Sequence, residues 1–299
     1  MTRRPGQGRA ACGAWAAAVV AAAVTAALAG CMSRTPAGRL SPAAALPRGR
    51  TVWLVTRAAL AQLVTDPSVR AELGGSPVYE IVQPGQQAVP GITATPVVTF
   101  PSVAGLADAL AADQMPAGTR AVLYDPEAWP FTPQAEQRDP VRAAARAASL
   151  AHAHGLQLIV SPALNLAAVL SSGGTTAGNS AARWQRFLDL RLAAEIAKAA
   201  DVIDLQAQSL ERSAASYAAF VREAASQARS AKPGVTVLAG LSTNPPGAIV
   251  TSQQLVAAVE ATRPDIDGYW LNIPSPGPRC PTCNPARPDV GIDALKAVL

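Results

Sequence analysis

From Thr51 onward the chain alternates between short apolar runs and longer alanine-rich runs. The short runs carry β-branched and aromatic residues, which favour strands, whereas the longer runs have the length and composition of helices. Eight strands are predicted, at 51–56, 78–83, 96–100, 121–125, 156–161, 202–206, 235–240 and 267–272. Regular alternation of strands and helices is typical of a parallel α/β fold, and eight is the strand number of a (β/α)8 TIM barrel.

Most of the gaps between these strands contain a predicted helix. The helices are expected at 58–73, 103–112, 140–154, 180–199, 214–231, 252–262 and from residue 291. The exception is 84–95, where Pro, Gly and Gln predict an extended loop in place of the second helix. An open doubly wound sheet is the alternative, but no glycine-rich phosphate loop follows the first strand. We therefore expect an α/β fold, a single TIM barrel over residues 51–299.

The N-terminus has the pattern of an export signal. Arg3, Arg4 and Arg9 precede an apolar run at 14–29, which is short for a membrane span. The run closes with Leu28-Ala29-Gly30-Cys31, which resembles the bacterial lipobox. This resemblance implies a signal peptide at 1–30 that is removed, and a lipid attached to the Cys31 sulfur. The alternative is a plain secretory peptide with an incidental cysteine.

Residues 31–50 are rich in Pro, Ala and Arg without apolar periodicity, which predicts a flexible tether. The expected location is therefore extracytoplasmic, with the protein held at the cell membrane by its lipid. Removal of 1–30 takes three arginines and no acidic residue, so 25 basic against 20 acidic residues becomes 22 against 20. Because no stripe of basic and aromatic residues remains, we expect no nucleic-acid partner. We also expect a monomer.

Two cysteines, Cys280 and Cys283, remain beyond the signal and the lipidation site. Outside the cytoplasm a disulfide is the default for such a pair. A zinc site would need two more ligands, and the chain's histidines, His152 and His154, belong to a distant predicted helix. We therefore predict a structural disulfide and no metal or cofactor.

The fourth predicted strand ends in a cluster of candidate catalytic residues. Asp125 and Glu127 are two residues apart in an extended segment, so their side chains point the same way, and Trp129 follows. Two neighbouring carboxylates at the C-terminal end of a barrel strand are typical of acid–base sites. Trp129 offers an apolar surface on which a sugar ring stacks. The alternative is a strand that ends in ordinary loop acids beside a tryptophan at the rim.

Two further strands carry candidate binding residues. Gln206 and Gln208 share one face of the sixth strand, where they form either an internal network or contacts to sugar hydroxyl groups. On the eighth strand Trp270 and Asn272 share a face. Trp270 is either the floor of a sugar subsite or a core residue beneath the helices.

Many glycosidases need a second carboxylate across the bond that is cleaved. The seventh strand ends in Gly240-Leu241-Ser242-Thr243-Asn244 and supplies none, so Glu211 is the nearby substitute. The sequence therefore indicates either a mechanism with one protein acid or a site that binds without cleavage.

The order of these elements resembles the family-eighteen glycoside hydrolases, the chitinase and hevamine-like barrels. Asp125-Pro126-Glu127 is similar to the end of the family's DxxDxDxE motif, and Ser161-Pro162-Ala163, Gln206, Gln208 and Trp270 are similar to its later strand ends. The resemblance implies Glu127 as general acid and Asp125 as the residue that orients an N-acetyl group, whose carbonyl oxygen attacks the anomeric carbon.

The sequence departs from that pattern in two places. The first two aspartates of the motif fall on Arg120 and Leu123, and no tyrosine follows Gln206. The function expected from the resemblance is a glycoside hydrolase that acts on a cell-wall or environmental oligo- or polysaccharide. The alternative is a non-catalytic glycan-binding or scaffolding lipoprotein built on a degenerate glycosidase barrel.

Overall fold

The computed structural model describes residues 49–83, 85–171, 180–245, 249–277, 280, 282–283 and 285–298. The predicted signal peptide, Cys31 and the tether up to residue 48 lie outside the described residues. Within the ranges described, no helix combines the length and the apolar character that a membrane span requires.

Eight parallel strands form a closed barrel in chain order, and the eighth strand pairs with the first. They are β1 (Val52–Thr56), β2 (Val78–Ile81), β3 (Ala94–Phe100), β4 (Ala121–Tyr124), β5 (Gln157–Val160), β6 (Val202–Leu205), β7 (Thr236–Ser242) and β8 (Gly268–Asn272). Each predicted strand is present within a few residues of its expected bounds. The prediction of a TIM barrel is confirmed, and the open sheet is excluded.

The helices surround this barrel. Those of the described residues are α1 (Arg57–Leu63), α2 (Pro67–Gly75), α3 (Val103–Ala111), α4 (Gln134–Arg138), α5 (Pro140–Ala153), α6 (Leu166–Val169), α7 (Ser180–Asp189), α8 (Leu192–Ala197), α9 (Ala214–Ala231), α10 (Ser252–Thr262) and α11 (Pro288–Val298). The larger apolar core lies between them and the outer faces of the strands. Its many alanines let the helices approach the sheet closely.

The predicted loop in place of a second helix is confirmed, since the described residues between β2 and β3 contain no helix. Glu80 explains how this loop is held. Its buried carboxylate accepts hydrogen bonds from the Val89 N–H at 3.0 and 3.2 Å, which fastens the loop to β2. Burial raises the pKa of Glu80, while the Val89 N–H and the Arg57 charge act in the opposite direction.

Two predicted helices are each divided in the structure. The helix expected at 58–73 ends at Leu63 and restarts at Pro67, because the Asp66 carboxylate caps the second helix by accepting from the N–H of Ser68 and Val69. The helix expected at 180–199 is interrupted at Arg191, which has a φ of 52°. Apolar periodicity continues through both breaks and therefore does not reveal them.

Alternate residues of the strands point inward and form a second apolar cluster that fills the barrel. Trp270 belongs to this inner cluster and is 8% exposed, so it is not a residue packed beneath the helices. Gly268 allows β8 to approach β1, because a Cβ at this position would overlap the carbonyl group of Val52. The filled interior leaves the strand ends as the place for a site.

Candidate active site

A cavity of about 290 Å³ lies at the C-terminal ends of the strands. Most of its wall is built from residues at or just after the ends of β4, β5, β6, β7 and β8. Of the seven residues predicted for catalysis or substrate binding, five line this cavity: Glu127, Trp129, Gln206, Gln208 and Asn272. We call this space the top cavity. The fold thus brings together side chains that are far apart in the sequence.

A larger cavity of about 700 Å³ lies at the opposite end of the barrel. Its basic side chains are already bonded to the scaffold. Lys232 donates to the carbonyl of Ala200, and Arg229 forms an ion pair with Asp267 at 3.0 Å. Because TIM-barrel sites form at the C-terminal ends of the strands, the smaller top cavity is the candidate active site.

The segment after β4 is held by a buried threonine hydroxyl. The Thr132 Oγ1 accepts from the Glu127 N–H at 3.2 Å and from the Trp129 Nε1 at 2.8 Å. Asn165 braces the same segment, since its Oδ1 accepts from the Ala128 N–H at 2.8 Å. Glu127 is half-buried in the cavity wall. Its backbone is therefore fixed before any ligand arrives, which favours a positioned acid.

The Trp129 ring is held in one orientation. It meets Phe131 edge-to-face, with ring centroids 5.1 Å apart and an interplanar angle of 80°. With its indole N–H bonded to Thr132, the ring lines the top cavity as an apolar wall. The stacking of a sugar on this ring stays a prediction.

Asp125 lies beneath the cavity and does not form part of its described wall. Its Oδ1 accepts from the Gln206 Nε2 at 2.8 Å, and the same nitrogen donates to the Ser161 carbonyl at 3.0 Å. Both donors of the Gln206 amide are therefore used by the scaffold, and its oxygen is the group left to contact a ligand. Asp125 thus acts on the top cavity through Gln206.

Gln208 lies directly over Gly240 of β7. A Cβ on Gly240 would be 2.6 to 2.8 Å from the amide atoms of Gln208, closer than any real contact. The absence of a side chain at Gly240 is thus what allows the Gln208 amide to reach the cavity wall.

Gly240→Ala is expected to displace the Gln208 amide and to weaken glycan binding about tenfold, the value of one hydrogen bond to a ligand. The fold survives because the displaced atoms are the end of a flexible side chain. Gln208→Ala provides the matched control and should weaken binding to the same extent. Calorimetric titration checks both variants, and Gly240→Ala with unchanged affinity would remove Gln208 from the site.

Trp270 and Asn272 separate in the structure although they share a strand face. Asn272 lines the top cavity, and its carbonyl accepts from the Thr243 N–H at 3.1 Å. Trp270 lies one pleat deeper in the barrel interior and is outside the described cavity wall. Its role is therefore to support the floor beneath the cavity.

Two buried acids lie near the site. The Asp204 Oδ2 accepts from the Ser161 hydroxyl at 2.6 Å, and burial raises the pKa of Asp204 from 3.8 to about 7. Glu211 is fully buried, its Oε2 accepts from the Ser242 N–H at 2.8 Å, and burial raises its pKa well above the ordinary value. Glu211 therefore holds the end of β7 and is not placed to act as a second carboxylate. Within the described cavity wall, Glu127 is the one carboxylate.

Cys280 and Cys283 form a disulfide, with Cα atoms 5.4 Å apart, so this prediction is confirmed. Both residues line the top cavity, which the sequence did not indicate. In the described part of the chain, no group of three or more His, Cys, Asp or Glu side chains is arranged to hold a metal ion.

Sequence reasoning missed several residues of the cavity wall: Asn165, Arg183, Ser242 and Asn244. Asn244 had a usable signal, because it follows the seventh strand at the same end as the other candidates. Arg183 had none, since it lies on a helix that follows a long loop.

No family model matches the chain, and no curated protein matches it. Among solved structures, the catalytic domain of a family GH18 chitinase from the fern Peteris ryukyuensis is 14% identical, with 79% of this chain and 98% of that chain covered and a TM-score of 0.45. Hydroxymethylglutaryl-CoA lyase from Pseudomonas aeruginosa is 14% identical, with 76% and 77% covered and a TM-score of 0.44. A spore cortex-lytic enzyme from Bacillus megaterium is 12% identical, with 75% and 71% covered and a TM-score of 0.40.

The names of these similar structures describe different activities. At these identities and TM-scores they carry no argument about activity. The prediction of a TIM barrel is confirmed by the closed order of its eight strands.

Proposed function

We propose that the protein is a glycoside hydrolase that acts on a cell-wall or environmental glycan, with Glu127 as general acid. The observation that carries this proposal is the position of Glu127 in the wall of the top cavity, which Trp129 and the amide residues Gln206 and Gln208 also line. An apolar ring, amide groups and one carboxylate are the groups that bind a sugar and protonate its glycosidic oxygen.

The single carboxylate favours a substrate-assisted mechanism. Glu127 gives its proton to the glycosidic oxygen as the bond to the anomeric carbon breaks. The carbonyl oxygen of the sugar's own N-acetyl group forms the new bond to that carbon. Water then opens the cyclic intermediate and returns a proton to Glu127. Asp125 serves this sequence as a positioning residue, because it holds the Gln206 amide.

The test is a panel of N-acetylated and plain oligosaccharides of equal length, incubated with the purified protein. Release of reducing ends from N-acetylated chains alone is the expected result. Equal cleavage of plain chains would exclude substrate assistance. Binding without cleavage of either type would exclude the hydrolase.

One observation favours the second candidate, a glycan-binding lipoprotein without catalysis. The Asp125 carboxylate is bonded to Gln206 beneath the cavity, and the acids expected before it in the motif are Arg120 and Leu123. A barrel that has lost these acids keeps its amide and aromatic contacts to sugar. Binding without turnover in the same panel is the result that supports this candidate.

We further propose that the protein is extracytoplasmic and anchored to the membrane by a lipid on Cys31. The lipobox-like Leu28-Ala29-Gly30-Cys31 and the disulfide, which an oxidising compartment favours, support this location. Cys31→Ala is expected to move the protein from the membrane fraction to the soluble fraction, because the lipid then has no sulfur to bind. Immunoblots of the two fractions check this, with Cys12→Ala as control. A Cys31→Ala protein that stays with the membrane would contradict the lipid anchor.

A further inference from the structure

The top cavity contains a charged group that catalysis by Glu127 does not use. Arg183, on α7, lines the cavity together with Glu127 and neutral amide and hydroxyl groups. Among the lining residues that the structure describes, it is the one cation. A neutral sugar needs no cation for recognition, so Arg183 calls for a separate explanation.

The Nε of Arg183 does not donate a hydrogen bond to the rest of the described protein. This atom is buried and has no hydrogen-bond partner among the described residues. A buried donor without a partner is costly, so its presence in a folded protein requires an explanation, and a ligand that completes it is one. The other arginine of this helix differs, because the Arg186 Nε donates to the Ser171 hydroxyl at 3.2 Å.

The helix that carries Arg183 is firmly placed. Trp184 and Phe187 both meet Phe220 of α9 edge-to-face, with ring centroids 6.4 and 5.6 Å apart. Phe187 and Phe220 are fully buried. Arg183 therefore lines the cavity from a rigid support, as a site for a charged ligand requires.

We infer that Arg183 binds a carboxylate carried by the substrate, so that the top cavity is specific for an acidic glycan. The inference rests on the proposed function and names its substrate class. The planar fork of a guanidinium matches a carboxylate with two parallel hydrogen bonds. Arg183 is the cation among the described residues of the cavity wall, so it is the group there that can pair with an anionic substituent.

Two kinds of sugar that carry a carboxylate are the uronic acids and the amino sugars with a lactyl ether. Binding is measured with one probe of each kind, an oligosaccharide of alternating N-acetylglucosamine and glucuronic acid and a disaccharide of N-acetylglucosamine and N-acetylmuramic acid, both of which carry the N-acetyl group that the proposed mechanism needs. Each is compared with its own methyl ester, which removes the charge and keeps the sugar. An uncharged N-acetylglucosamine oligomer of equal length is the neutral reference.

The expected result is that one of the two acids binds about 10- to 100-fold more tightly than its ester, as a charge-assisted pair predicts. Arg183→Gln should abolish this difference, because it should weaken binding of the acid far more than binding of the ester. Arg183→Lys should restore part of it, because the charge returns without the fork. Arg186→Gln, on the same helix, should behave as the unaltered protein.

Three outcomes separate the inference from the proposed function. Equal affinity for acids and esters in the unaltered protein overturns the inference, while binding of the neutral oligomer leaves the proposed function standing. Acid selectivity that persists in Arg183→Gln also overturns it. Failure of every probe to bind contradicts both.

Discussion

Glu127→Gln is expected to lower the rate of glycan hydrolysis by about 10²- to 10⁴-fold, the usual contribution of a general acid. Glutamine has nearly the same shape, so the hydrogen bonds of Thr132 and Asn165 to the neighbouring backbone remain. It has no proton of suitable acidity to give to the leaving oxygen. Affinity for the glycan should change little, because Trp129, Gln206 and Gln208 still line the cavity. Reducing-end release and calorimetric titration measure the two effects separately.

The choice of substrate sharpens this test. In a nitrophenyl glycoside the nitrophenolate leaves without being protonated. Glu127→Gln should therefore slow the cleavage of this substrate far less than the cleavage of the natural linkage. Loss of the same size on both substrates would mean that Glu127 positions the sugar and is not the acid. Glu260→Gln, an exposed carboxylate on α10, is the control. Unchanged hydrolysis in Glu127→Gln would end the proposal.

The barrel could be predicted from the sequence because each strand is a separate apolar run with a helix or loop on either side. The extended loop after β2 was equally readable from its Pro, Gly and Gln content. What the sequence could not show is the anchor of that loop, since the bond between Glu80 and Val89 depends on a fold that buries both.

The helix breaks have a different reason. At Asp66-Pro67 the sequence carried a usable start signal, but the apolar positions on both sides keep the helical spacing and hid it. At Arg191 no residue type announces the left-handed conformation that separates α7 from α8. Such a break follows from how the two helices pack and not from local preference.

Part of the site could be predicted from the geometry of parallel strands. Alternation along a strand places Asp125 and Glu127 on one side, and parallel strands bring the ends of β4, β6 and β8 to one end of the barrel. Alternation along a strand does not indicate how deep a side chain lies in the barrel. The sequence therefore could not distinguish Trp270, which is interior, from Asn272, which lines the cavity. Arg183 reaches the cavity from a helix, where strand alternation says nothing.

The burial of Asp204 inside the barrel leads to the largest expected effect on the stability of the fold. The folded protein is expected to lose about 4 kcal/mol of stability between acidic and alkaline pH because of Asp204 alone. Its pKa is about 7 in the fold and near 3.8 when the chain is unfolded and solvated. Since the folded pKa is the higher one, the folded state binds more protons across this interval, and raising the pH favours unfolding. The contribution of Asp204 to stability is therefore fully present below its unfolded pKa of 3.8. It is lost as the pH rises to its folded pKa of about 7.

Urea unfolding at about pH 5 and about pH 8 should show a loss of about 2 to 3 kcal/mol that Asp204→Asn removes, since the amide has no proton to lose. Asp293→Asn, an exposed aspartate on α11, corrects for the change of residue type.

Ser161→Ala should change the pH dependence in the direction opposite to Asp204→Asn. The Ser161 hydroxyl lowers the pKa of Asp204, so its removal should raise that pKa further and steepen the loss at high pH. If the unaltered protein and Asp204→Asn lose stability equally over this range, the carboxyl is not protonated inside the barrel. Asp204 would then be a buried anion directly below Gln206, and the floor of the top cavity would carry a charge that repels an acidic glycan.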